Sequence, residues 1–211
     1  MKIEKKDLLL YGVTDRGCLR GMSLEEAVEQ AILGGVGTVQ LREKNIGEDE
    51  LLREAEKLLK ICHKYNVPLI INDDYEAALK CGADGVHVGI EDAPVAEIRR
   101  IAGKNFIIGA TAKTVEQAKL AESSGADYLG VGAVFPSPTK TNAVRITPQE
   151  LREICSCVNI PAVAIGGITA ENVKEIKGCG HSGIAVVSAV FGANDIKKAA
   201  NEIRGAALET I

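Results

Sequence analysis

Charged and amide side chains gather at the ends of short apolar runs. The run 38–44 closes on Gln40-Leu41-Arg42-Glu43-Lys44, where two-residue alternation puts Gln40, Arg42 and Lys44 on one side. Two cations and an amide facing one place suit an anionic ligand. The run 68–73 closes on Asn72-Asp73, with Asp74 next, and the turn after the run 85–89 holds Ile90, Glu91 and Asp92. Carboxylates at two neighbouring strand ends suit a hard cation such as Mg²⁺, which keeps several waters and shares phosphate oxygens. Taken singly, Asp73 and Asp92 read equally well as caps of the helices that follow. Arg42, Lys44 and Lys140 tilt the balance toward a ligand with several phosphate charges, most economically a pyrophosphate. Lys140 by itself also reads as a solvated loop lysine or as a Schiff-base lysine.

Two further strand ends, Ile165-Gly166-Gly167-Ile168 and Val187-Ser188-Ala189, have the small residues that let backbone amides approach a second phosphate. Gly130 and Gly132 alternate within one run, either to leave room for a ring or to pack tightly against the neighbouring layer. His63 reads as a solvated helix residue and His181 as lying at the far rim. His87, inside a strand, reads as structural more readily than as catalytic.

Such groups meet only if the elements carrying them are arranged around a common mouth. Eight apolar runs, at 8–15, 38–44, 68–73, 85–89, 106–111, 128–134, 161–167 and 183–189, recur roughly every 25 residues, the length of one βα unit. Between them the spacing predicts helices over 23–33, 47–65, 75–81, 95–102, 114–123, 147–155, 170–177 and 195–204. Ser23 with Glu26 and Thr147 with Glu150 match capping boxes, and Pro148 sits where its missing N–H costs least. Runs apolar on both faces require burial on both sides, hence a parallel sheet. Eight units in 211 residues favour closure, which removes the sheet edges. The expectation is an α/β fold, a single (β/α)8 TIM barrel in one domain over 1–211. Its longest stretch without helix periodicity, 135–146, is the candidate moving loop.

The composition is 46% hydrophobic and 26% charged with a net charge of -4, and aromatics are only 3%. Nucleic acid therefore lacks both an electrostatic footprint and a stacking platform. There is no uninterrupted apolar stretch of membrane-spanning length. The charged start, 1–7, leads straight into the first strand and leaves no room for a secretory signal, so the cytoplasm is the default expectation. Six cysteines form no CxxC pair and read as unreactive thiols. A homo-oligomer is left open.

Seven segments in order resemble the thiamine phosphate synthase family: LYGVTD at 10–15, VQLREK at 39–44, IND at 71–73, ADGVHVG at 83–89, ADYLGVGAVFPSPTK at 126–140, AIGGI at 164–168 and GIAVVSA at 183–189. The resemblance implies a transferase that joins a 4-amino-2-methylpyrimidin-5-ylmethyl diphosphate to a thiazole phosphate, releasing pyrophosphate. It implies that Gln40, Leu41, Arg42, Glu43, Lys44, Asn72, Thr111 and Lys140 hold the pyrimidine diphosphate, with Arg42, Lys44, Thr111 and Lys140 acting in catalysis. By the same resemblance Mg²⁺ sits on Asp73 and Asp92, and Ser137, Pro138, Thr139, Gly167, Val187 and Ser188 receive the thiazole phosphate. The family's mechanism is dissociative, so stabilising the departing diphosphate matters more than a strong base.

The chain departs from the family's habit at Ile90, often Gln, at Thr111, commonly Ser, and at Ser137, more often Thr. Lys113 stands where many relatives carry His, which argues against the related thiazole tautomerase. A Schiff-base aldolase through Lys140 and a ligand-sensing barrel without turnover are the other rivals. The intact set of Asp73, Asp92, Arg42, Lys44 and Lys140 speaks against a mere sensor.

Overall fold

The computed structural model describes residues 2–44, 46–137 and 144–211. Its eight strands, β1 (Leu10–Val13), β2 (Thr38–Leu41), β3 (Leu69–Asn72), β4 (Gly85–Val88), β5 (Ile107–Ala112), β6 (Tyr128–Gly132), β7 (Ala162–Ile165) and β8 (Gly183–Val186), pair in parallel in chain order, and β8 returns to β1. The register Leu10↔Ile184 and Tyr11↔Ala185 closes the barrel. The helices are α1 (Leu24–Leu33), α2 (Glu48–Lys64), α3 (Tyr75–Cys81), α4 (Val95–Ala102), α5 (Val115–Ser123), α6 (Pro148–Ser156), α7 (Ser188–Phe191) and α8 (Ile196–Leu208). None of them is long and apolar enough to cross a membrane.

Alternation divides each strand between two cores. Val39, Leu41, Leu69, Ile71, Val86, Val88, Leu129 and Val131 face the helices in the larger core. Tyr11, Val13, Ile70, Ile107, Tyr128, Val163 and Ala185 fill the barrel itself. The inner core is thus partly polar, with two phenols near its middle.

The strands are shorter than the apolar runs suggest. β2 stops at Leu41 and β3 at Asn72, so their polar tails leave the ladder and form the rim. Thr147 and Glu150 make the reciprocal capping box, and Ser23 accepts from the Glu26 backbone. The helix expected over 170–177 is only a 3₁₀ turn, Val173–Ile176. Here the Thr169 N–H donates to Asn172 Oδ1 at 2.9 Å and Asn172 Nδ2 donates to the Gly167 carbonyl at 2.9 Å. These local bonds offer the backbone an alternative to the helical ladder. α7, which no periodicity announces, starts directly at the end of β8.

Of the candidate moving loop, 138–143 lies outside the described residues, and with it Pro138, Thr139 and Lys140. The two described ends meet. Ala133 N–H donates to the Val144 carbonyl at 3.3 Å and Ile146 N–H donates to the Ala133 carbonyl at 2.9 Å. The loop therefore leaves and re-enters the barrel at one point of the rim.

Candidate active site

The rim site begins with β3 and β4, whose ends are locked together when Asp73 N–H donates to the His87 carbonyl at 2.8 Å. Asp73 then takes a left-handed backbone, φ 65°, a conformation Asp tolerates better than most residues. Asp92 is drawn in from the next turn, where its Oδ2 accepts from Gly89 N–H at 2.6 Å. Neither residue caps a helix: Asp74 caps α3 and Pro94 precedes α4. Burial and the facing Asp92 carboxylate push the Asp73 carboxyl up to about 6, while the Asn72 side chain and the Arg42 guanidinium pull it the other way. Two acids, an amide and a guanidinium thus share one corner of the mouth.

Arg42 reaches that corner because its backbone is held in place. Its N–H donates to the buried Thr14 hydroxyl at 3.0 Å, and Thr14 N–H donates to the Gln40 carbonyl at 2.9 Å, extending the β1–β2 pairing beyond the strands. Gln40 is 5% exposed and points into the barrel. Leu41 packs in the helix-facing core, so only its backbone remains for a ligand. Glu43 turns away from the rim toward Arg16, which donates to its Oε2 at 3.3 Å and also pairs with Glu54 of α2. A carboxylate held there ties the loop after β2 to Arg16. Lys44 is exposed just beyond.

Across the mouth, Thr111 of β5 shares a 3.1 Å hydrogen bond with His87 Nε2, and His87 Nδ1 shares one of 3.1 Å with the Tyr128 hydroxyl. Gly130 makes room for this imidazole, since a Cβ there would stand 2.9 Å from His87 Cε1. The ring admitted by Gly130 is therefore the protein's own. Gly132 instead lies hard against the Ile165 backbone, the tight-packing alternative. His63 bonds Asp84 at 3.0 Å on the helix side, and His181 is buried against Thr210.

A second corner forms at the ends of β6, β7 and β8. Val134 N–H donates to the Ile165 carbonyl at 3.0 Å and Phe135 N–H to the Gly166 carbonyl at 2.9 Å, so the chain leading to Ser137 runs beside Gly167. Gly167 needs its left-handed φ of 63°, and a Cβ there would strike the Pro136 carbonyl. Val187 and Ser188 lie at the start of α7, with Val187 against the inner core. Tyr11 and Tyr128 are uncharged and lie away from the carboxyl ends of their strands, so no sequence signal marks them. Nor does any mark Thr14, whose hydroxyl fixes Arg42.

A shallow cavity of about 290 Å³ at the opposite mouth is lined by Lys2, Lys104, Phe106 and Asp127 among others. It has no comparable chemistry, because Asp127 is already bound by Arg99 at 2.6 Å and by Ile108 N–H at 2.8 Å. Burial also pushes the Cys62 and Cys155 thiols up to about 12, which suppresses their nucleophilic form.

Residues 10–190 match the family described as thiamine monophosphate synthase. A thiamine-phosphate synthase of Clostridium tetani is 47% identical over 199 residues, covering 94% of this chain and 95% of that one. One of Ruminiclostridium cellulolyticum is 49% identical with the same coverage. Among solved structures, the thiamine phosphate pyrophosphorylase of Pyrococcus furiosus superposes with a TM-score of 0.90 at 40% identity, covering 98% of each chain. A 3-hexulose-6-phosphate synthase at 16% identity and a TM-score of 0.66 shares the fold alone.

Proposed function

The chain belongs to the thiamine monophosphate synthase family and is a transferase that makes thiamine monophosphate; from that premise we propose which residues of its rim carry the reaction. The observation behind this reading is the convergence of Arg42, Asn72, Asp73 and Asp92 on one corner, reported by the electrostatics of the Asp73 carboxyl. Two facing acids raise each other's cost of ionisation, which a divalent cation between them relieves. Their donors are all oxygen, and no cluster of three or more His, Cys, Asp or Glu side chains surrounds a metal position among the described residues. That fits Mg²⁺, which takes one or two carboxylates and completes its shell with waters and diphosphate oxygens. Asp73 and Asp92 would hold it, and the bound ion would neutralise charge on the leaving diphosphate.

Arg42, with Lys44 and Lys140, adds fixed positive charge where the leaving group becomes more anionic. Gln40, Asn72 and Thr111 orient the 4-amino-2-methylpyrimidin-5-ylmethyl diphosphate. Leu41 and Glu43 contribute through backbone and loop support. The carbon–oxygen bond breaks first, leaving a pyrimidinylmethyl cation stabilised by its own ring, and the thiazole nitrogen then attacks that carbon. The thiazole phosphate is anchored by Ser137, Pro138, Thr139, Gly167, Val187 and Ser188, so the attack is effectively intramolecular. No strong protein base takes part, which agrees with a His87 imidazole held well below its ordinary value by burial. Residues 1–211 act as one catalytic domain in the cytoplasm. The test is direct: both phosphorylated heterocycles are incubated with the protein and Mg²⁺, and thiamine monophosphate and pyrophosphate are measured. Failure to form both products refutes the reading.

A further inference from the structure

Five side chains from five strands form one unbroken hydrogen-bonded chain across the barrel. Gln40 Nε2 donates to the Tyr11 hydroxyl at 2.8 Å, and the Tyr11 and Tyr128 hydroxyls are 2.8 Å apart. Tyr128 and His87 Nδ1 share the next bond at 3.1 Å, and His87 Nε2 and Thr111 the last, also at 3.1 Å. The phenols are 1% and 0% exposed and their rings meet edge to face, with centroids 5.7 Å apart. Neither hydroxyl can turn to water. Gln40 Oε1 takes no partner among the described residues and is not sealed in.

With Gln40 Nε2 as the donor to Tyr11, proton counting fixes the direction of every other link. A phenol and a neutral imidazole each have one proton to give. Tyr11 accepts from Gln40, so its own proton goes to Tyr128. The Tyr128 proton then goes to His87 Nδ1, which must be bare, and the imidazole N–H sits at Nε2 and is donated to Thr111 Oγ1. Thr111 is left with its own proton free for the mouth, while Gln40 offers its carbonyl. Turning the Gln40 amide over would reverse all four links together. Gln40 would then offer its NH₂ and Thr111 would have no proton left to donate.

We propose that Tyr11, Tyr128 and His87 are positioning residues that fix Gln40 as an acceptor and Thr111 as a donor at once, and so select a pyrimidine bearing an exocyclic N–H together with an anionic tail. The proposal rests on the reading that Gln40 and Thr111 flank the pyrimidine diphosphate. It predicts discrimination against the 4-oxo counterpart, whose carbonyl would face the Gln40 carbonyl and leave both unpaired.

Two measurements test it. The first is ¹⁵N NMR of histidine-labelled, ligand-free wild-type protein at neutral pH. The expected result is His87 with a protonated Nε2 and a bare Nδ1; the opposite tautomer or an imidazolium overturns the proposal, whatever the protein's turnover. The second compares wild type with Tyr11→Phe and Tyr128→Phe on the 4-amino and 4-oxo pyrimidine diphosphates. In the variants KM for the 4-amino substrate should rise about tenfold, kcat should stay within about twofold, and the preference over the 4-oxo compound should narrow about tenfold. A preference unchanged in a folded variant overturns the proposal, because simple destabilisation would lower both substrates alike. If neither variant folds, the tautomer alone decides. A wild type that shows the expected tautomer but turns over neither pyrimidine refutes the functional reading and leaves the direction of the chain standing.

Discussion

Replacing Asp73 by Asn should make the metal-free protein more stable and the enzyme worse. The substitution keeps side-chain shape, and Asn tolerates the left-handed backbone at φ 65°, so the change is almost purely one of charge. The carboxyl is raised from 3.8 to about 6, first by burial and then by Asp92. In the folded protein it therefore holds its proton to a higher pH than in the unfolded chain, and ionising it costs the native state. That penalty is complete above about pH 6 and absent below 3.8.

At about 1.4 kcal/mol per tenfold, the ceiling is about 3 kcal/mol. The Asp73 side chain is only partly withdrawn from water and the residue as a whole is exposed at the rim, so solvent screening reduces this to roughly 1 kcal/mol. For a chain of this length that is a rise in Tm of about 2–4 °C. The assay is thermal unfolding in chelator at neutral pH, repeated at falling pH, where the gain should fade, and then with Mg²⁺. Added cation should raise wild-type Tm by mass action and leave the variant behind, while turnover of the variant drops at least about tenfold. A variant less stable than wild type in chelator, with unchanged turnover, would refute the claim that the two acids face each other as a cation site.

Asp92→Ala and Lys140→Ala should each leave folding intact and cut turnover at least about tenfold, a transition-state loss above about 1.4 kcal/mol; wild-type rates from either would sink the assignment of that residue. Gly130→Ala would put a methyl 2.9 Å from His87 Cε1, so urea unfolding should show a loss of about 1–3 kcal/mol. A loss under about 0.5 kcal/mol would mean the imidazole does not occupy that space. Burial lowers His87 from 6.5 to about 4, so the unfolded chain takes up the proton first as pH falls. Wild-type stability should therefore decline from pH 6.5 toward 4, by up to about 3 kcal/mol from this group, and His87→Gln should flatten that part of the profile. Parallel profiles would show that His87 is not held neutral.

Much of the fold was legible in the sequence because burial on both faces leaves a strand nothing but apolar residues until it reaches the rim. Eight such runs separated by helical periodicity specify the barrel, and the polar residues ending them mark the functional mouth. Residue type pointed to Arg42, Asp73 and Asp92 as candidates, but metal ligand and helix cap stayed even for the two acids until the structure gave the cap of α3 to Asp74 and placed Pro94 before α4. What alternation could not say is where the ladder stops: β2 ends at Leu41, and Glu43, on the side opposite Arg42, finds Arg16 as its partner.

Contacts across the barrel were less visible still. Tyr11 and Tyr128 are 117 residues apart, and their 2.8 Å bond exists only because closure puts β1 and β6 around one interior. Likewise the sequence leaves Gly130 open between room for a ring and tight packing, and only the packed interior has His87 against it. Local sequence determined which residues point inward and which reach the mouth, because side-chain direction follows from backbone period. Which inward residues meet was decided by the tertiary structure alone, because pairing across a closed barrel depends on register and curvature that no single strand contains.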